Sequence, residues 1–200
     1  TSSSFTASPV AAVKAFLDTH PIDADFGKVW TPLLPASRYG GPDDDEDESP
    51  VEGWTRSFPH PLTGLEKRPD AVFRTQWQTS PFADAHLGAM AARLVETERL
   101  GQRDTTDVLL IGFSSPDLVG HRFGPRSHEI QDMYAHLDQT IGRLFDEIDR
   151  LVGRDRYVVA LSSDHGVAEI PAQVSRRGED AGRLSESALT QAAEMAAQAA

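Results

Sequence analysis

Two short apolar runs, Thr106-Asp-Val-Leu-Leu-Ile-Gly-Phe-Ser114 and Tyr157-Val-Val-Ala-Leu-Ser162, stand either side of one long amphipathic stretch. Each is nearly continuous in apolar residues instead of alternating, which reads as a strand covered on both faces. Between them Ser127 caps a helix whose stripe is Ile130, Met133, Tyr134, Leu137, Ile141, Leu144, Phe145, Ile148 and Leu151, closed by Gly153. Strand, helix, strand is the unit of a parallel sheet, because parallel neighbours need a crossover connection. The expected fold class is α/β, with a mostly parallel sheet flanked by helices.

The chemistry lies where the apolar runs give out. Asp117 and His121 follow the first run, and Asp164 and His165 follow the second. In open α/β sheets ligands bind beyond the carboxyl ends of the strands, so parallel strands would bring all four groups to one rim. Carboxylate oxygen and neutral imidazole nitrogen are donors that zinc prefers, at roughly 2.0–2.2 Å. Two such pairs suggest a two-metal site, the arrangement that typically serves phosphoryl chemistry. A single Asp-His pair at a strand end is more often a cap or turn residue; two at equivalent positions shift the balance towards metal binding. Gly120 and Gly166 are expected to let the backbone turn sharply beside a ligand. His128 and His136 fall on the long helix and read as surface or supporting residues; His20, His60 and His86 have no acidic partner at ligand spacing.

Elsewhere the signals are local. Ser8-Pro9 opens a helix with Val10, Val13, Phe16 and Leu17 on one face, ending near Asp18–Pro21. Residues 20–75 form an irregular segment whose prolines and glycines forbid long regular elements, although Trp30, Trp54, Phe58 and Phe73 imply packing. Inside it the acidic run 43–48 lacks the glycine and terminal glutamate of a calcium loop and reads as a solvated loop tip. Ser80-Pro81 starts a second helix, with Phe82, Ala85, Leu87, Met90, Ala91 and Leu94 buried and Gly101 past its end.

Composition narrows the class. A net charge of −12 argues against a binder of nucleic-acid backbones, though not against a phosphate-ester substrate, since bound zinc reverses the local sign. No apolar run is long enough to cross a bilayer, and the absence of cysteine excludes disulfides and thiolate metal sites. The N-terminus carries no signal-peptide pattern, and the alanine-rich C-terminus from Leu189 holds good helix formers without a stop signal. Both ends read as cut.

Phe113-Ser-Ser-Pro-Asp-Leu-Val-Gly-His-Arg-Phe-Gly-Pro125, followed by Asp164-His-Gly-Val-Ala168, resembles the alkaline phosphatase superfamily, in its exported, nucleotide-pyrophosphatase-like monoesterase branch. Thr31-Pro-Leu-Leu-Pro35 and the helices before Gly101 and after Ser127 extend the likeness over most of the chain. The resemblance implies a partial alkaline-phosphatase-like domain over residues 1–200, with 101–171 as its strand–helix–strand metal-site half. It implies two zinc ions, one on Asp117 and His121, the other on Asp164 and His165, acting on small phosphate esters through a covalent phosphoenzyme. It also implies a periplasmic or secreted enzyme.

The family's nucleophile, a further metal-binding Asp, the phosphate-holding Lys and Arg, and a third His have no counterpart here. Thr1 and Ser2–Ser4 lack the surrounding motif, and no His follows Pro171. With no catalytic nucleophile, the chain alone is expected to bind zinc weakly, to turn over negligibly, and to aggregate through unpaired strand edges. The alternatives are a phosphodiesterase or nucleotide pyrophosphatase of the same superfamily, or a non-catalytic phosphatase-like scaffold.

Overall fold

The computed structural model describes residues 10–198, in two compact units that divide after Val167. The expected cap at Ser8, and Thr1 and Ser2–Ser4, lie outside the described residues. In the first unit α1 (Ala11–Thr19) leads into a long irregular segment. Its one ladder among the described residues pairs β1 (Val29–Trp30) with β2 (His60–Pro61), antiparallel. Then follow α2 (Ala71–Gln78), α3 (Pro81–Thr97), α4 (Ser115–Phe123) and α5 (His128–Leu151). The second unit holds α6 (Pro171–Arg176) and α7 (Glu186–Gln198), the latter exposed along its length and covering the alanine-rich stretch.

The irregular segment is the core, as its aromatic residues imply. Trp30, Trp54, Leu62 and Phe73 bury against Val119 and Phe123 of α4 and Ile130 and Met133 of α5. Buried polar groups fix the path of the chain where no ladder can. The Asp132 carboxylate on α5 accepts from Trp30 Nε1 at 2.6 Å, Leu33 N at 2.7 Å and Tyr39 Oη at 2.5 Å. Burial opposes its ionisation, but bonds from His136, Tyr39, Leu33 and Trp30 outweigh burial and hold it below its usual range. Burial and that same carboxylate push Tyr39 up to about 12. Gln76, fully buried on α2, donates to Glu52 O and accepts from Gly64 N, each at 2.9 Å. Asp70 caps α2 and also accepts from Leu65 N and Glu66 N; a side chain at Gly64 (φ +59) would collide with it.

The helices pack through small and polar positions as much as apolar ones. The buried row of α3 is Pro81, Asp84, Gly88, Ala91 and Val95. The larger side chains Leu87, Met90 and Leu94 stay half-buried, because close approach of α5 needs the absent Cβ of Gly88, which would stand 2.7 Å from Thr140 Cγ2. Helix α5 starts on Ser127, whose Oγ accepts from Ile130 N at 3.1 Å, and stops before Gly153 at φ +103.

The strand–helix–strand expectation over 101–171 is met in its helix and not in its strands. Residues 106–114 and 157–162 carry neither helix nor ladder, and Val108, Leu110, Val158 and Leu161 are 78%, 89%, 95% and 84% exposed. Apolar content expresses a preference for a buried sheet interior, whereas a strand exists only when a neighbour supplies the ladder. Neither run neighbours the other in a sheet, so the two are not a parallel pair. The acidic run is solvated at Asp44 and Glu46, as expected of a loop tip, but not at its end. Glu48 is buried, and Ser49 N donates to Arg122 O at 2.8 Å, which seats the run on the end of α4.

Candidate metal centre

The candidate ligands Asp117 and His121 lie on a helix, α4, and not at a sharp turn of the backbone beside Gly120. Pro116 sits in its first turn, where a missing N–H costs nothing, and Gly124 (φ +82) ends it. The spacing of four puts both side chains on one face, with Asp117 Oδ1 3.2 Å from His121 Nε2. Gly120 makes no sharp turn. It lies inside the helix, where a Cβ would come within 3.2 Å of Val167 Cγ2, so its absence lets the 163–167 segment pass close. Gly166 has open space around it and no left-handed backbone.

That close passage delivers the third group. His165 Nε2 stands 3.5 Å from Asp117 Oδ1, and the two imidazole rings are 6.2 Å apart. Asp117, His121 and His165 each offer a donor atom within 4.8 Å of the others, the one such set of three among the described residues. Asp117 Oδ1 is buried and makes no hydrogen bond. A buried carboxylate oxygen facing two imidazole nitrogens is an electron-rich pocket that a divalent cation satisfies. Asp164 stands apart from this set. Its side chain is 85% exposed; Oδ1 accepts from His165 N at 3.0 Å, and Oδ2 lies 3.6 Å from His165 Nε2. The Gly166 carbonyl, with Asp164 and Asp117, pushes the His165 pKa up, so a proton competes for the same nitrogen lone pairs.

The other histidines divide differently from the sequence reading. His128 is held between Gly41 O at 2.9 Å and Asp43 Oδ1 at 3.2 Å, and His136 lies 3.3 Å from Asp132 Oδ2. His60 does have an acidic partner: its Nε2 is 2.9 Å from Glu129 Oε1, with both side chains fully buried. A separation of 69 residues hides that pair from local inspection. Asp84 was also overlooked, as a charge on a helix face read for apolar residues. Its carboxylate accepts from Ser115 at the start of α4.

Residues 24–195 match the model of the type I phosphodiesterase / nucleotide pyrophosphatase family, and the chain belongs to that family. Among curated relatives, it is 35% identical over 140 residues to alkaline phosphatase PafA of Elizabethkingia meningoseptica, covering 70% of this chain and 26% of that protein. It is 32% identical over 151 residues to alkaline phosphatase PhoV of Synechococcus elongatus, covering 73% and 26%. The crystal structure of wild-type PafA superposes with a TM-score of 0.76 at 28% identity, covering 90% of this chain and 35% of that one. The chain is thus part of an α/β alkaline-phosphatase-like fold, and spans about a quarter of the length of these curated relatives. No described helix is long and apolar enough to cross a membrane.

Proposed function

We propose that these residues form part of a zinc-dependent phosphomonoesterase that acts outside the cytoplasm, with Asp117, His121, Asp164 and His165 as zinc ligands. The observation that carries it is the convergence of Asp117, His121 and His165, with a buried carboxylate oxygen that has no hydrogen-bond partner, in a chain of this family. Bound zinc would supply Lewis acidity at the phosphoryl oxygens. In this reading Asp117, His121 and His165 make one donor set, and the exposed Asp164 carboxylate beside it, bonded through Oδ1 to His165 N, offers Oδ2 to a second ion. Helix α4 presents Asp117 and His121 on one face, and Gly120 admits the segment that brings His165. His165, whose pKa is raised, must shed its proton to act as a ligand, which makes binding weaker as pH falls.

The nucleophile and the groups that grip phosphate come from outside these residues, so the 200-residue chain alone is expected to show negligible turnover. The test uses the longest natural chain that contains this sequence, with p-nitrophenyl phosphate and bis-p-nitrophenyl phosphate as substrates. Monoester hydrolysis that chelator and Asp164→Asn each abolish supports the reading. Preference for the diester supports the phosphodiesterase alternative that the family description also covers. No hydrolysis of either, with no zinc bound, leaves the non-catalytic scaffold.

A further inference from the structure

Helix α4 has nine residues, too few to be stable on helical propensity alone, so what holds each end decides where its ligands stand. Its C-terminal half is held by Val119 and Phe123, both fully buried in the aromatic core. Its N-terminal half, which carries Asp117, has no such anchor of its own. Ser114, at the capping position, makes no side-chain cap, and Pro116 contributes no N–H.

The anchor comes from another helix. Asp84, in the first turn of α3 and 4% exposed, places Oδ1 3.1 Å from Ser115 Oγ and 3.4 Å from Ser115 N. A carboxylate at a helix N-terminus satisfies free amides and opposes the positive end of the helix dipole. Burial pushes the Asp84 carboxyl up, while the bonds from Ser115 and the Ser114 backbone pull it back. Its Oδ2 is buried without a partner, a cost that ordinary packing would avoid with an apolar residue. At Gly88, where an added Cβ would meet Thr140, α3 lies close against α5, so Asp84 refers the start of α4 to a helix that is itself packed on α5.

We propose that Asp84 is a positioning residue for the metal centre: by capping α4 from α3 it fixes the axial placement of Asp117 and His121 relative to His165. This rests on the metal-site reading above, and the test separates the two.

Co²⁺ alone is titrated into the full chain and followed by its visible d–d absorption, for wild type, Asp84→Ala, Asp84→Asn, Ser115→Ala and Leu144→Ala. Loss of a hydrogen-bond partner of a metal ligand itself typically weakens binding about 10–100-fold. Asp84 acts one step further out, through Ser115, so Asp84→Ala is expected to weaken binding by about tenfold, the low end of that range, and Ser115→Ala by less. Asp84→Asn keeps an oxygen acceptor and should restore affinity to within about threefold, well inside the range set by losing the bond. Leu144→Ala removes a buried side chain of α5 away from α4 and should lower the melting temperature without moving Co²⁺ affinity. Wild-type affinity in Asp84→Ala, or equal weakening in Leu144→Ala, overturns the inference. If Asp84→Ala fails to fold, Ser115→Ala decides by the same criteria. If wild type itself binds no Co²⁺, the metal reading fails, and amide exchange decides the anchor. Faster exchange confined to residues 117–119 in Asp84→Ala supports it, and unchanged protection overturns it.

Discussion

His60 and Glu129 meet at 2.9 Å in the core as a neutral hydrogen bond rather than an ion pair, because burial disfavours both charges. Burial pushes His60 down to about 4, against the pull of Asp43, and pushes Glu129 up to about 8, with Asp43 and Asp132 adding to it. Glu48 is likewise raised to about 8, by burial first and then by Glu129. A raised carboxyl binds its proton in the folded state at a pH where the unfolded chain has released it. Stability is therefore full below the ordinary carboxylate range and falls as pH rises through about 8. Lowered His60 works oppositely: its contribution is present above the ordinary histidine pKa and lost as pH falls towards about 4. Between those limits the terms partly cancel, and above the histidine range the two carboxyls act unopposed. The melting temperature should fall most steeply from about pH 6.5 to 8. Glu48→Gln should flatten that slope and raise the melting temperature at pH 8.5 more than at pH 5, which a thermal scan against pH reads directly.

Asp132 holds the turn from Trp30 to Tyr39 onto α5, so its removal leaves several buried donors unmatched. Asp132→Ala should cost on the order of 3 kcal/mol, and Tyr39→Phe about 1, since Asp132 keeps its other partners. Urea unfolding followed by tryptophan fluorescence measures both, and equal losses would contradict the ranking.

How much of this was legible in the sequence depends on how local each signal is. Ser127 and Gly153 mark the ends of α5 correctly because capping is read within one turn. Helix α4 was hidden by Pro116, Gly120 and Gly124, which look like loop residues but are a first-turn proline, a packing glycine and a terminator. The chemical types at Asp117, His121 and His165 were visible; their convergence was not, because it depends on Val167 passing over Gly120. Asp84 with Ser115, and His60 with Glu129, are partners 31 and 69 residues apart, beyond any local pattern. The runs at 106–114 and 157–162 read as sheet interior by composition, yet they carry no ladder and stand exposed, because pairing is a property of the neighbour.

Those runs carry their own consequence. Exposed Leu110, Val158 and Leu161 beside unpaired backbone offer an edge for another chain. The isolated chain should self-associate with rising concentration, and Val158→Lys with Leu161→Lys should suppress it. Sedimentation velocity across a hundredfold concentration range reads this, and a concentration-independent monomer would contradict it.

Gly120→Ala sets two effects against each other. Alanine improves helix propensity by about 1 kcal/mol, whereas its Cβ presses on the segment bearing His165. Helicity should rise slightly while metal affinity drops, as circular dichroism and metal titration on the same sample would record.

The most direct measurement is zinc X-ray absorption on the purified chain loaded with one equivalent of Zn²⁺. The account expects two imidazoles and at least one carboxylate oxygen in the shell, with one imidazole lost in His121→Ala and one in His165→Ala. A shell of oxygen alone, unchanged by either substitution, would contradict it.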